Sequence, residues 1–92
     1  MTTVLAGFQL LPNQKEDHTG GIIEETIETI ENSGLRYQVG PLETVVEGDF
    51  DSIMTLVKDI HVKAFEAGAD EFFSNIKIHY RVKGVSLEDK KI

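Results

Sequence analysis

Val4, Ala6, Phe8 and Leu10 alternate with Leu5, Gly7, Gln9 and Leu11, so the first ten residues predict a β-strand that is apolar on both sides. Such a strand is either covered on both faces or lies where a ligand or another subunit supplies the second cover. Pro12 to Gly21 is polar and ends in two glycines, which predicts a loop leading to a helix start with Thr19 as its cap. From Ile22 the apolar residues Ile22, Ile23, Ile27 and Ile30 recur at helical spacing, with Glu24, Glu25, Glu28 and Glu31 on the wet side. Gly34 can take the left-handed conformation that closes this helix. Leu35, Tyr37 and Val39 then read as a short strand, and Gly40-Pro41 as a turn. Leu42 to Glu47 reads as a third strand.

Asp49 or Asp51 can cap a second helix, in which Ile53, Val57, Ile60, Ala64 and Phe65 form an apolar stripe ending at Gly68. Phe72 to Val82 predicts the last strand. Its even-numbered residues share one face and Phe73, Asn75, Lys77, His79 and Arg81 the other. The order βαββαβ is that of a ferredoxin-like α+β domain, a four-stranded antiparallel sheet with two helices on one face. Residues 1–92 form one domain in this reading, with the charged stretch 83–92 as a flexible tail. Two helices cover only one face, so the opposite face exposes either Phe8 and Leu10 or Leu5 and Leu11, which suits self-association or a ligand.

With 92 residues, 40% of them apolar, the chain has room for a small core, and a deep pocket would need a second copy. Sixteen acidic residues against nine basic give a net charge of −7, which repels phosphate backbones and anionic membranes. Nucleic acid and membrane are therefore not expected partners. The absence of cysteine removes thiolate metal sites and thiol nucleophiles, and it fits a cytoplasmic protein. The amino terminus shows no basic region ahead of a long apolar run. His18, His61 and His79 are far apart, and only Asp59 and Glu66 stand near His61 as further ligand types, so no metal site is expected. The first loop has Lys15 as its only cation, which argues against an acyl-phosphate hydrolase of this fold.

The run Ser33-Gly34-Leu35-Arg36-Tyr37-Gln38-Val39-Gly40-Pro41, followed by Thr44-Val45-Val46-Glu47-Gly48, resembles the small thiamine-binding protein family, as does Asn75 to Arg81. The chain departs from that pattern at His79-Tyr80, where many members carry two aspartates, and in the extended polar first loop. The resemblance implies a non-catalytic binder of thiamine or its hydroxymethylpyrimidine part that needs no cofactor and assembles through its sheets into dimers or tetramers. It would place Thr44 and Glu47 at the pocket. Because the first and last strands neighbour one another in this fold, Gln9, Asn75 and Lys77 can make polar contacts in the same crevice, and Phe8 or Tyr37 can stack on the pyrimidine. Thr44 and Glu47 fall on opposite faces of a regular strand, so a bulge, a pocket at the strand end or another subunit would have to bring them together. In a purely structural role, Thr44 packs in the sheet and Glu47 pairs with Lys77 or Arg81. The alternative to ligand binding is an oligomeric scaffold or regulator whose open sheet only associates.

Overall fold

A computed structural model describes residues 2–12 and 16–90. Its elements run β1 (Thr3–Pro12), α1 (Glu16–Glu31), β2 (Arg36–Val39), β3 (Thr44–Asp49), α2 (Phe50–Glu66) and β4 (Phe72–His79), with a final 3-10 turn at Leu87–Lys90. The four strands form one antiparallel sheet in the order β2-β3-β1-β4. This is the ferredoxin-like α+β fold that the alternating periods predict.

The face that meets the helices carries Val4, Ala6 and Phe8 of β1 with Val46 of β3, packed against Ile30 of α1 and Ile53, Leu56 and Ile60 of α2. The buried stripe of α2 is Ile53, Leu56, Ile60 and Ala64, whereas Phe65, expected within it, is 51% exposed. Spacings of three and four residues from Ile53 reach Leu56 and Ile60, and Phe65 falls one position beyond Ala64, outside that stripe. His61 ties α2 to β4: its Nδ1 donates to the Val57 carbonyl at 2.7 Å, and its Nε2 accepts from Ser74 Oγ at 2.8 Å.

Both predicted helix stops hold, with φ of +81° at Gly34 and +108° at Gly68. Asp49 caps α2, its carboxylate accepting from the Ser52 backbone N–H at 3.1 Å and from the Ser52 hydroxyl at 2.7 Å. These bonds favour the ionised form and hold the Asp49 carboxyl below its ordinary range. Boundaries differ from expectation at β3, which begins at Thr44 and not Leu42, at β4, which ends at His79 and not Val82, and at the start of α1. The first helix starts at Glu16, so Thr19 and both glycines lie inside it and Thr19 is not its cap. Of the loop read from Pro12 to Gly21, residues 13–15 lie outside the described residues.

The stretch expected as a flexible tail follows a defined path as far as Lys90 and packs Val85 and Leu87 on the sheet. Arg81 to Gly84 form a turn in which the Gly84 N–H donates to the Arg81 carbonyl at 2.7 Å, and Gly84 adopts a φ of +91°. The chain then returns across the helix-free face of the sheet. Val85 is 2% exposed and Leu87 7%, both against Leu5 and Val45. Among the charges of this segment these two side chains alternate toward the sheet, and burying them offsets the ordering of the backbone.

Candidate ligand site on the open face of the sheet

Register fixes which side chains can meet. Phe8 faces Thr44 across β1 and β3, Leu5 faces Glu47, and across β1 and β4 Gly7 faces Lys77 and Gln9 faces Asn75. Because paired residues share a face, Gln9, Glu47, Asn75 and Lys77 stand on the helix-free face, while Thr44 turns toward the helices and is 5% exposed. No strand bulge brings Thr44 and Glu47 together. The structure thus gathers four of the five predicted side chains on one face and places the fifth on the other.

The four are further divided. Glu47 lies at the end covered by the C-terminal strap, where its Oε1 accepts from the Leu87 backbone N–H at 2.9 Å and its Oε2 stands 3.4 Å from Arg36. Arg36 also donates to both carboxylate oxygens of Glu88. These two acids raise the Arg36 guanidinium above its ordinary value, the Glu88 hydrogen bond contributing most. The expected partner of Glu47, Lys77 or Arg81, is thereby replaced. Lys77 sits 3.5 Å from Glu43, and Arg81 lies 3.5 Å from Asp89. Sequence order hid this arrangement, because Arg36 reaches Glu47 through the β2–β3 register and Glu88 only once the strap folds back.

At the other end of the same face lie Gln9, Asn75 and Lys77. Asn75 Nδ2 donates to Gln9 Oε1 at 3.4 Å. Beside them the Glu43 carboxylate rests on Gly7: a Cβ at Gly7 would fall 2.2 Å from Glu43 Oε1 and 2.9 Å from its Cδ. That oxygen is shielded from solvent and makes no hydrogen bond among the described residues; Lys77 Nζ is at ion-pair range only. Glu43 has the look of an ordinary solvated acid in the sequence. The signal for it is Gly7, the one residue without a side chain in β1.

A cleft of about 260 Å³ opens at this end of the sheet, with Phe8, Leu10, Ile23 and Ile27 on the core side and the Val39 to Thr44 hairpin opposite. Gln9, Glu43 and Thr44 all reach it. The cleft is where the strand-end alternative places Thr44 near the open-face residues. Of the two aromatic walls expected, Phe8 is 2% exposed and lines the cleft from the core, and Tyr37 lies on the helix side of β2 with its hydroxyl donating to Glu31 at 3.3 Å. The aromatic available on the open face is Phe73, 65% exposed and two residues from Asn75 on the same side of β4. Among the described residues no group of three or more histidines, aspartates and glutamates is placed to hold a metal ion, and no helix is long and apolar enough to cross a membrane.

These features define a small ferredoxin-like domain whose open sheet face is sealed at one end by its own C-terminal strap and recessed at the other. The chain belongs to the thiamine-binding protein family, whose profile matches residues 6–92. A UPF0045 protein of Clostridium perfringens is 33% identical over 90 residues, spanning 98% of this chain and 95% of that relative. Among solved structures, a domain of unknown function from Bacillus cereus superposes with a TM-score of 0.89 at 36% identity, over 97% of this chain and 86% of its own. A candidate thiamine biosynthesis or salvage protein of Thermotoga maritima superposes with a TM-score of 0.88 at 32% identity, over 96% and 94% respectively.

Proposed function

We propose that this protein binds thiamine, or its hydroxymethylpyrimidine part, in the cytoplasm and without catalysis, and that a second copy of the chain covers the recessed end of the sheet. The observation that carries the reading is the gathering of Gln9, Asn75 and Lys77 on the uncovered half of the open face, beside the cleft that Phe8 and Thr44 line. Family membership supports the ligand class. Cleft size supports the division of labour. Ligand pockets generally span about 300 to 1,000 Å³. At about 260 Å³ the cleft suits a single substituted ring, and the rest of a vitamin would extend over the sheet to be enclosed by a partner copy. A dimer or tetramer follows as the working assembly, and no cofactor beyond the ligand is required.

The exposed row Ile78, Tyr80 and Val82, running from β4 into the turn that follows it, together with Phe73 on the other side of the strand, favours a second reading in which the domain is only an associating scaffold or regulator. Calorimetric titration with thiamine, hydroxymethylpyrimidine and a thiazole fragment separates the two. Saturable heat with thiamine and the pyrimidine, and none with the thiazole, is the expected result. Dilution heat alone from a folded sample would leave the scaffold reading in possession.

A further inference from the structure

We infer that Glu43 is the residue that reads the ligand, accepting a hydrogen bond from the amino edge of a heterocycle while the Gln9 carboxamide donates to the adjacent ring nitrogen. The inference rests on the binding function proposed above and names the ligand edge that the site selects.

Three observations converge on Glu43. Its Oε1 is shielded from solvent and lacks a hydrogen bond, although the side chain as a whole is 30% exposed. A carboxylate oxygen in that condition has lost its hydration without regaining a donor, a state that a bound N–H would relieve. Gly7 makes the space. Its missing Cβ lets the carboxylate lie against the strand, with Oε1, Cδ and Oε2 at 2.2, 2.9 and 3.4 Å from where that carbon would stand. Finally, Lys77 balances the charge without satisfying the oxygen, since its ammonium is at 3.5 Å and its side chain is 70% exposed. An exposed lysine is held weakly and swings aside at little cost.

Gln9 supplies the second point. Its Oε1 accepts from Asn75, which leaves the NH2 to donate. One residue beyond the last β1–β3 pair, Phe8 with Thr44, Gln9 comes opposite Glu43, and both line the cleft. An acceptor beside a donor matches an amine next to a ring nitrogen, the edge that an aminopyrimidine presents. The thiazolium ring has no such edge. Selection therefore acts on the pyrimidine half, with the Glu43 charge also favouring a ligand that carries a positive group nearby.

The test uses the full-length protein and its Glu43→Gln variant, which keeps the shape and removes the charge. Titration with thiamine, hydroxymethylpyrimidine, its analogue lacking the amine, and cytosine is followed by calorimetry and by the 15N–1H signals of Gly7 and of the Gln9 and Asn75 side-chain amides. Binding of hydroxymethylpyrimidine but not of its deamino analogue, weakened roughly ten- to hundredfold in Glu43→Gln, is the expected result, the size of a lost charge-assisted hydrogen bond. Equal affinity in Glu43→Gln, with loss in Glu47→Gln, would overturn the role of Glu43 and leave thiamine binding standing. If thiamine and its pyrimidine do not bind while cytosine shifts the Gly7, Gln9 and Asn75 signals, the amino-edge inference survives and the thiamine reading falls. Unmoved signals with every compound overturn both.

Discussion

The two ends of the open sheet face handle the same problem in opposite ways. At one end Leu5 would be exposed, and the chain brings Val85 and Leu87 back over it until Leu5 is only 3% accessible. Glu47 there is fully engaged, by the Leu87 N–H and by Arg36. At the other end Gly7 leaves a recess, and the acid lying in it has the Lys77 ion pair at 3.5 Å while its shielded Oε1 makes no hydrogen bond. Two glutamates four residues apart, Glu43 just before β3 and Glu47 within it, thus have different fates. The satisfied one holds structure together, and the unsatisfied one is available for recognition. Polar residue type alone does not separate binding residues from architectural ones; completeness of their hydrogen bonding does.

The sharpest way to break this division is to remove the cover from the sealed end. Leu87→Ala should destabilise the fold by about 2 to 3 kcal/mol, the lower part of the range for emptying a buried leucine site. For a domain of this size that corresponds to a fall in Tm of roughly 10 °C or more, measured by scanning calorimetry. Well below the lowered Tm, ligand affinity should be unchanged, because Gly7, Gln9, Glu43, Asn75 and Lys77 belong to the sheet, its β2–β3 turn and its register, independent of the strap. A variant that keeps its Tm would show that the strap is a passenger on the sheet.

Gly7→Ala sharpens the comparison from the other end. The new methyl group would occupy the space of the Glu43 carboxylate, and that carboxylate is the far end of a flexible side chain that can move outward. Gly7 is not among the glycines with positive φ, so alanine fits the backbone and stability should change by less than about 1 kcal/mol. Hydroxymethylpyrimidine affinity should drop at least as far as in Glu43→Gln. The pair of outcomes, stability lost without binding in Leu87→Ala and binding lost without stability in Gly7→Ala, would establish that the two halves are separable. Binding that persists in Gly7→Ala would mean that the recess is not the site.

Much of this was legible in the sequence, and the parts that were not have a common cause. Period-two alternation in Val4 to Leu11 and Phe72 to Val82, with glycine stops at Gly34 and Gly68, is local information and it placed the strands and helix ends. The same parity placed Thr44 and Glu47 on opposite faces, as the register now shows. What escaped is set by residues far apart in the chain. Leu35 to Glu47 can be read as a hairpin, yet nothing nearby says that Glu88, more than fifty residues later, will join Arg36 at its edge. The strap looked like a solvated tail because seven of the ten residues from Lys83 to Ile92 are not apolar, and only the unmet need of Leu5 for cover argued otherwise. Glu43 is illegible for the same reason, since its significance lies in the empty position at Gly7 across the sheet.

The smallest expected effect concerns Asp49, which ends β3 opposite Thr3 at the sealed end and caps α2. Its hydrogen bonds with Ser52 depress the carboxyl in the folded state, so the folded protein resists protonating it while the unfolded chain does not. The stabilisation is accordingly present in full above the ordinary aspartate range. It fades as the pH falls below about 4 and through the depressed folded value. Asp49→Ala should lower Tm by a few degrees at neutral pH, and the gap from wild type should close on acidification. Both curves measured from pH 7 to pH 3 check this. Ligand affinity at neutral pH should be the same in both proteins, since the cap stands at the far end of the sheet from Gly7. A gap that stays constant into acid would mean that Asp49 acts through packing and not through its charge, and the sealed end would then owe its order to the apolar strap alone.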